Sequence, residues 1–85
     1  MREIIIECAG IETARQLHEV LRRELNFPEW YGHNLDALHD LLTALGEPTR
    51  LIMKDFSALP SFSLGFRLVL NDCEEENPNL FVDLK

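Results

Sequence analysis

Three short apolar runs, EIIIEC at 3 to 8, RLIMK at 50 to 54 and LFVDL at 80 to 84, lie too far apart in the chain for hairpins to join them. The stretches between them carry apolar residues at three- and four-residue spacing instead. Strands separated by amphipathic helices imply parallel pairing through right-handed crossovers. The expected fold is therefore α/β, a small three-stranded parallel sheet packed with three main helices plus a short turn helix. Within the first run, three consecutive isoleucines bounded by Ala9-Gly10 suit a central, buried strand.

The helices announce themselves by their ends. Thr13 with Gln16 three residues on can form a capping box, and Ala14, Leu17, Val20, Leu21 and Leu25 recur at helical spacing, so a first helix is expected over roughly 13 to 25. Phe27-Pro28 stops it, because proline cannot donate into a helix and its predecessor is pushed out of the α region. A turn or single helical turn then carries Glu29, Trp30, Tyr31 and Gly32. Asn34 is a good N-cap for a second helix with a stripe of Leu35, Leu38, Leu41, Leu42 and Leu45, ending near Gly46 and Pro48. Asp55 to Ser63 reads as a loop holding a short turn. Ser61 or Ser63 can cap a last helix whose Phe66, Val69, Leu70 and Cys73 share a face, closed by Asn77-Pro78.

Eighty-five residues support one modest core, and a single domain over 1 to 85 is expected. Fifteen acids against eight bases give a net charge of minus 7, which repels phosphate backbones and anionic lipid and makes a cationic partner the natural complement. Nucleic acid and membrane are thus not expected as direct ligands. MREIIIECAG is too short in apolar residues for a signal peptide or a span, so the chain reads as cytoplasmic. Cys8 and Cys73 lack CxxC spacing and sit in apolar contexts, as reduced buried thiols do.

On the second helix, Asp36, His39, Asp40 and Thr43 fall on one face, opposite the leucines. Asp36 and Asp40 repel at i,i+4, and the helix carries no lysine or arginine to relieve them. Trp30 and Tyr31 lie just before it, and aromatics beside charges resemble the anchors of protein interfaces. A solvated face is the plain alternative. A metal site or acid–base catalyst built on Asp36, His39 and Asp40 is a further one, but it lacks a fourth ligand or a nucleophile, so no metal, cofactor or catalytic residue is assigned. His18 and His33 read as an exposed helix residue and a loop residue. In the last helix, Asp72, Glu74, Glu75 and Glu76 crowd the carboxyl end, where the macrodipole disfavours negative charge, so local stability does not account for them. Asp72 and Glu76 at i,i+4 would form a second acidic stripe flanking one cationic site.

PEWYGHNLDALHDLLT, from Pro28 to Thr43, resembles the signature segment of the barstar family, intracellular inhibitors of secreted barnase-type ribonucleases. LHEVLRRELNFPE is similar to that family's first helix and its exit, whereas the likeness is weak from 46 to 65 and faint in the last helix and strand. The resemblance implies a non-enzymatic, cofactor-free plug for a basic ribonuclease, monomeric when free, that protects the producing cell. It implies partner contacts through Trp30, Tyr31, Gly32, Asn34, Asp36, His39, Asp40, Thr43, Asp72 and Glu76. Asp40 would take the place of a substrate phosphate, since a carboxylate also accepts bidentate arginine bonds. Trp30 would stack on the enzyme's histidine, Asp36 and Thr43 would flank, and Asp72 and Glu76 would meet the cationic rim. The chain departs from the family at His39, where a large aromatic is usual, at Ala44-Leu45, and at Trp30 in place of tyrosine. A binding module of the same fold for another cationic partner, such as a different toxin, is the alternative.

Overall fold

The computed structural model describes all of residues 1–85. Its elements run β1 (Arg2–Glu7), α1 (Ala14–Leu25), α2 (Leu35–Thr43), β2 (Thr49–Lys54), a single 3-10 turn (Phe56–Ala58), α3 (Ser63–Glu76) and β3 (Leu80–Leu84). The expected α/β class, strand set and helix set are all present. The strands pair in parallel in the order β1-β2-β3, with Ile5 opposite Ile52 and Ile52 opposite Asp83.

That order corrects one expectation. β1 is an edge strand and β2 is the central one. A right-handed crossover repeated in the same direction across a sheet returns to the same face each time. The helices therefore stack on one side, against Ile6, Leu51, Met53 and Leu80, and leave the other side of the sheet to solvent. Ile5, in the middle of the isoleucine run, is 47% exposed on that bare side. Such a face is unusual for a parallel sheet. Here it is furnished with charged residues, and the Arg50 guanidinium both pairs with Asp83 at 2.8 Å and lies over the Phe81 ring.

α1 starts as its sequence dictates. Thr13 accepts from the Gln16 amide and Gln16 reaches back to the Thr13 amide, a closed capping box. The helix ends at Asn26 in the left-handed conformation, one residue before Phe27. Residues 28 to 31 form a turn rather than a helix, closed by the Tyr31 amide on the Pro28 carbonyl. α2 stops at Thr43, short of the expected end near Gly46 and Pro48, and Asn77 at the end of α3 bonds the carbonyls of this stretch. The Asn77 side-chain amide donates to Leu42 at 2.9 Å and Leu45 at 3.0 Å, while its oxygen accepts from Asn79. α3 begins after Phe62 with no side-chain cap, so neither Ser61 nor Ser63 plays the expected role. Its first amides are met by backbone instead, Ser63 donating to Pro60 and Leu64 to Ser61.

Leu38 and Leu42 are fully buried and fasten α2 to the core, each contributing on the order of 2 kcal/mol by burial. α3 comes close to α2 at Gly65, where a β-carbon would stand 2.8 Å from a Leu35 methyl. Both cysteines are free and buried, and burial pushes each thiol up to about 11.

Candidate functional site

The two neighbouring aromatics part company in the fold. Trp30 is 77% exposed at the tip of the turn, whereas Tyr31 is 2% exposed and packs into the core. Tyr31, expected among the partner contacts, can act only from beneath. Its hydroxyl pairs with His18 Nδ1 at 2.6 Å, and its ring packs against Phe27 and His33.

His18 is accordingly not the exposed helix residue anticipated but a core residue, 3% exposed and packed against Phe66. The sequence did hold a signal for this, since 14, 18, 21 and 25 continue the buried stripe of α1 at helical spacing. Desolvation, and then the charge of His33, pull its imidazole down to about 4. His33 sits half-buried in the loop with φ of 51° and bonds Glu19 at 2.8 Å. Arg22 first, and His33 second, hold the Glu19 carboxylate down at about 2. The turn that displays Trp30 is thus anchored on α1 at two points.

Asn34 fastens the other end of the loop. Its side-chain oxygen accepts from the Ala37 amide at 2.8 Å, the expected N-cap, and its side-chain nitrogen donates to the Gly32 carbonyl at 3.1 Å. A β-carbon at Gly32 would fall 2.8 Å from that same nitrogen, so a side chain there would push the Asn34 amide aside. Gly32 and Asn34 are solvent-exposed but spend their polar groups on this local geometry.

Along α2, Asp36 lies in the first turn, where the helix dipole favours it, and is exposed. Asp40 is open to solvent, with its side chain 84% exposed. No lysine or arginine pairs with it, and the nearest positive candidate is His39 Nδ1 at 3.9 Å. The Thr43 hydroxyl turns inward, donating to the His39 carbonyl at 2.8 Å. Asp36, His39 and Asp40 do not converge into a trio suited to a metal ion.

The acids of α3 divide into distinct jobs, which the sequence reading had not resolved. Glu74 accepts from the Val82 amide at 2.7 Å, so the fold itself uses it. Glu76 reaches across to α2 and takes His39 Nε2 at 2.5 Å. Asp72 is exposed and pairs with no base. Asp36, Asp40, His39 and Thr43 therefore share one side of α2, and the Glu76 bridge joins it to the acidic end of α3. A cleft of about 390 Å³ lies elsewhere, by the β1–α1 turn, lined by Ala9, Gly10, Ile11, Gln16, Glu19 and Val20. The acidic face holds no cleft of its own and carries carboxylates along it, and the turn that precedes α2 displays the exposed indole of Trp30. Such a surface offers anionic contacts to a concave, basic partner.

Comparison with known proteins finds one family. The Barstar (barnase inhibitor) family matches over residues 1–81. A Bacillus subtilis (strain 168) protein named "Putative ribonuclease inhibitor YrdF" is 38% identical over 81 residues, covering 89% of each chain. No helix is long and apolar enough to cross a membrane.

Proposed function

The chain belongs to the barstar family, and from that premise we propose that it inhibits a small basic ribonuclease by filling the enzyme's active site with α2 and the turn before it. It acts by occupancy rather than turnover, in the cytoplasm of the cell that makes it, as a monomer until it meets the enzyme. One observation carries the reading most: Asp40 projects from a rigid helix, almost fully solvated and without a base of its own. A carboxylate so placed is free to accept the arginines and protonated histidine that an RNA-cleaving site keeps for phosphate. Trp30 is the aromatic anchor beside it, and Asp36 and Asp72 widen the negative field. Thr43, Gly32, Asn34 and Tyr31 serve by holding α2 and the loop in shape, so that little ordering remains to be done on binding.

The reading is tested by titrating the chain into barnase and other small secreted microbial ribonucleases while following RNA cleavage. Stoichiometric loss of activity is expected from at least one enzyme. Asp40→Ala should weaken that inhibition by at least about 30-fold, the effect of removing a central interface anchor. Undiminished inhibition by the variant would remove Asp40 from the role.

A second reading, a partner other than a ribonuclease, is favoured by one specific feature. His39, which the resemblance matches to a large aromatic, is bonded to Glu76, and this alters the surface beside the anchor. Recovery of a basic non-nuclease protein on an affinity column of the wild-type chain, but not of Asp40→Ala, would support this second reading over the first.

A further inference from the structure

The bridge between His39 and Glu76 changes what the acidic end of α3 can offer. Glu76 Oε2 sits 2.5 Å from His39 Nε2, and Asp40 Oδ1 lies 3.9 Å from the other ring nitrogen. The charged groups that reach the imidazole, Glu76 and Asp40, are both acids, and one turn earlier on their helices stand two more, Asp72 on α3 and Asp36 on α2. α2 has no base, and the one base of α3, Arg67, lies over the ring of Phe56. Cys73 packs beneath, its thiol against the His39 carbonyl at 3.8 Å.

We propose that His39 is the specificity-determining residue of this face, because it holds the Glu76 carboxylate and a cationic partner gains that carboxylate only by displacing the imidazole. The inference rests on the inhibitor reading above. An arginine of the partner and a histidinium cannot both occupy the same oxygen, and the two cations repel. Where the ring is protonated, its proton therefore leaves to solvent as the partner docks. Where the ring is already neutral, only an Nε2–H hydrogen bond is given up. Partners that bring no cation to Glu76 leave the bridge intact and bind with no such proton release. The chain thereby separates ribonucleases by the placement of one rim arginine, and its affinity for those that do reach Glu76 falls wherever acid protonates the ring.

The experiment measures the dissociation constant for barnase at pH 8 and pH 5.5 with the wild type, His39→Gln and Glu76→Gln. Histidines of the enzyme contribute equally to all three and cancel in the comparison. The wild type should weaken between the two pH values by about 3- to 10-fold more than His39→Gln does. Glu76→Gln should lose the same excess. Equal pH ratios in wild type and His39→Gln, with an enzyme whose binding at pH 8 is weakened by Glu76→Gln, would overturn the inference while leaving the inhibitor reading intact. Absence of binding at pH 8 to barnase and to every other small ribonuclease of the inhibition test would count against the inhibitor reading itself. Independently of any partner, nitrogen NMR of the free chain at pH 8 should show the His39 proton on Nε2, with that preference lost in Glu76→Gln. A proton on Nδ1 in the wild type would overturn the bridge directly.

Discussion

Two buried polar residues hold more of the molecule than their size suggests. Asn77 closes α2 from outside by giving one amide nitrogen to two carbonyls. Asn77→Ala takes the side-chain donor from the Leu42 and Leu45 carbonyls, leaving Leu42 only the long 3.4 Å bond from the Leu45 amide, and should lower stability in urea by about 1 to 3 kcal/mol. Asn77→Asp should be worse, because it turns a carboxylate oxygen toward two carbonyls. His18 has a pH signature. Its imidazole is held at about 4 in the fold against an ordinary value of 6.5, so the unfolded chain binds the extra proton first. The stability it supports is fully present above about pH 6.5 and is lost as the pH falls toward 4, by up to about 3 kcal/mol. Denaturation midpoints measured across that window should fall in the wild type. The fall should be clearly shallower in His18→Gln, which removes the titration but retains a polar group for Tyr31.

At the scale of elements, the end of α3 does a job for the sheet. Glu74 occupies the outward amide of Val82 on the edge strand β3. Edge amides invite pairing with other chains, and a carboxylate laid on one blunts that tendency. In Glu74→Ala, hydrogen exchange at the Val82 amide should accelerate by an order of magnitude or more, with the fully buried core amides of β2 unchanged. This contact also shows where sequence reading stops. Periodicity and cap chemistry are local, so the capping box at Thr13, the cap at Asn34 and the leucine stripe of α2 were all legible. Glu74, Glu76 and Asn77 act through partners 8 to 37 residues away, and no local pattern announces such contacts. The acidic run looks unfavourable by its helix dipole, and the bonds that compensate Glu74 and Glu76 lie on other elements. The isoleucines of β1 looked central because strand order is a property of the crossovers, not of the strand. Of the proposed contact surface, the residues sharing one side of α2 were legible from spacing alone. The burial of Tyr31 beside an exposed Trp30 was not, since alternation in a turn follows no fixed period.

For the molecule as a whole, handedness and charge act together. Same-direction right-handed crossovers gather the helices on one side, so the acidic residues of α2 and α3 belong to one layer and the bare sheet forms the opposite surface. With a net charge of minus 7, the chain should attract a basic enzyme from a distance. Its association rate with barnase should fall at least about tenfold between 20 mM and 500 mM salt, while dissociation changes far less; stopped-flow mixing checks this. The chain contains one tryptophan, and it is Trp30. Its indole already stands in water in the native state, so melting the core changes its surroundings little, whereas docking would desolvate it. Intrinsic tryptophan emission in this chain is therefore a poor thermometer of folding and a good indicator of capture: its colour should shift to the blue when a partner closes over the turn and stay nearly constant through denaturation.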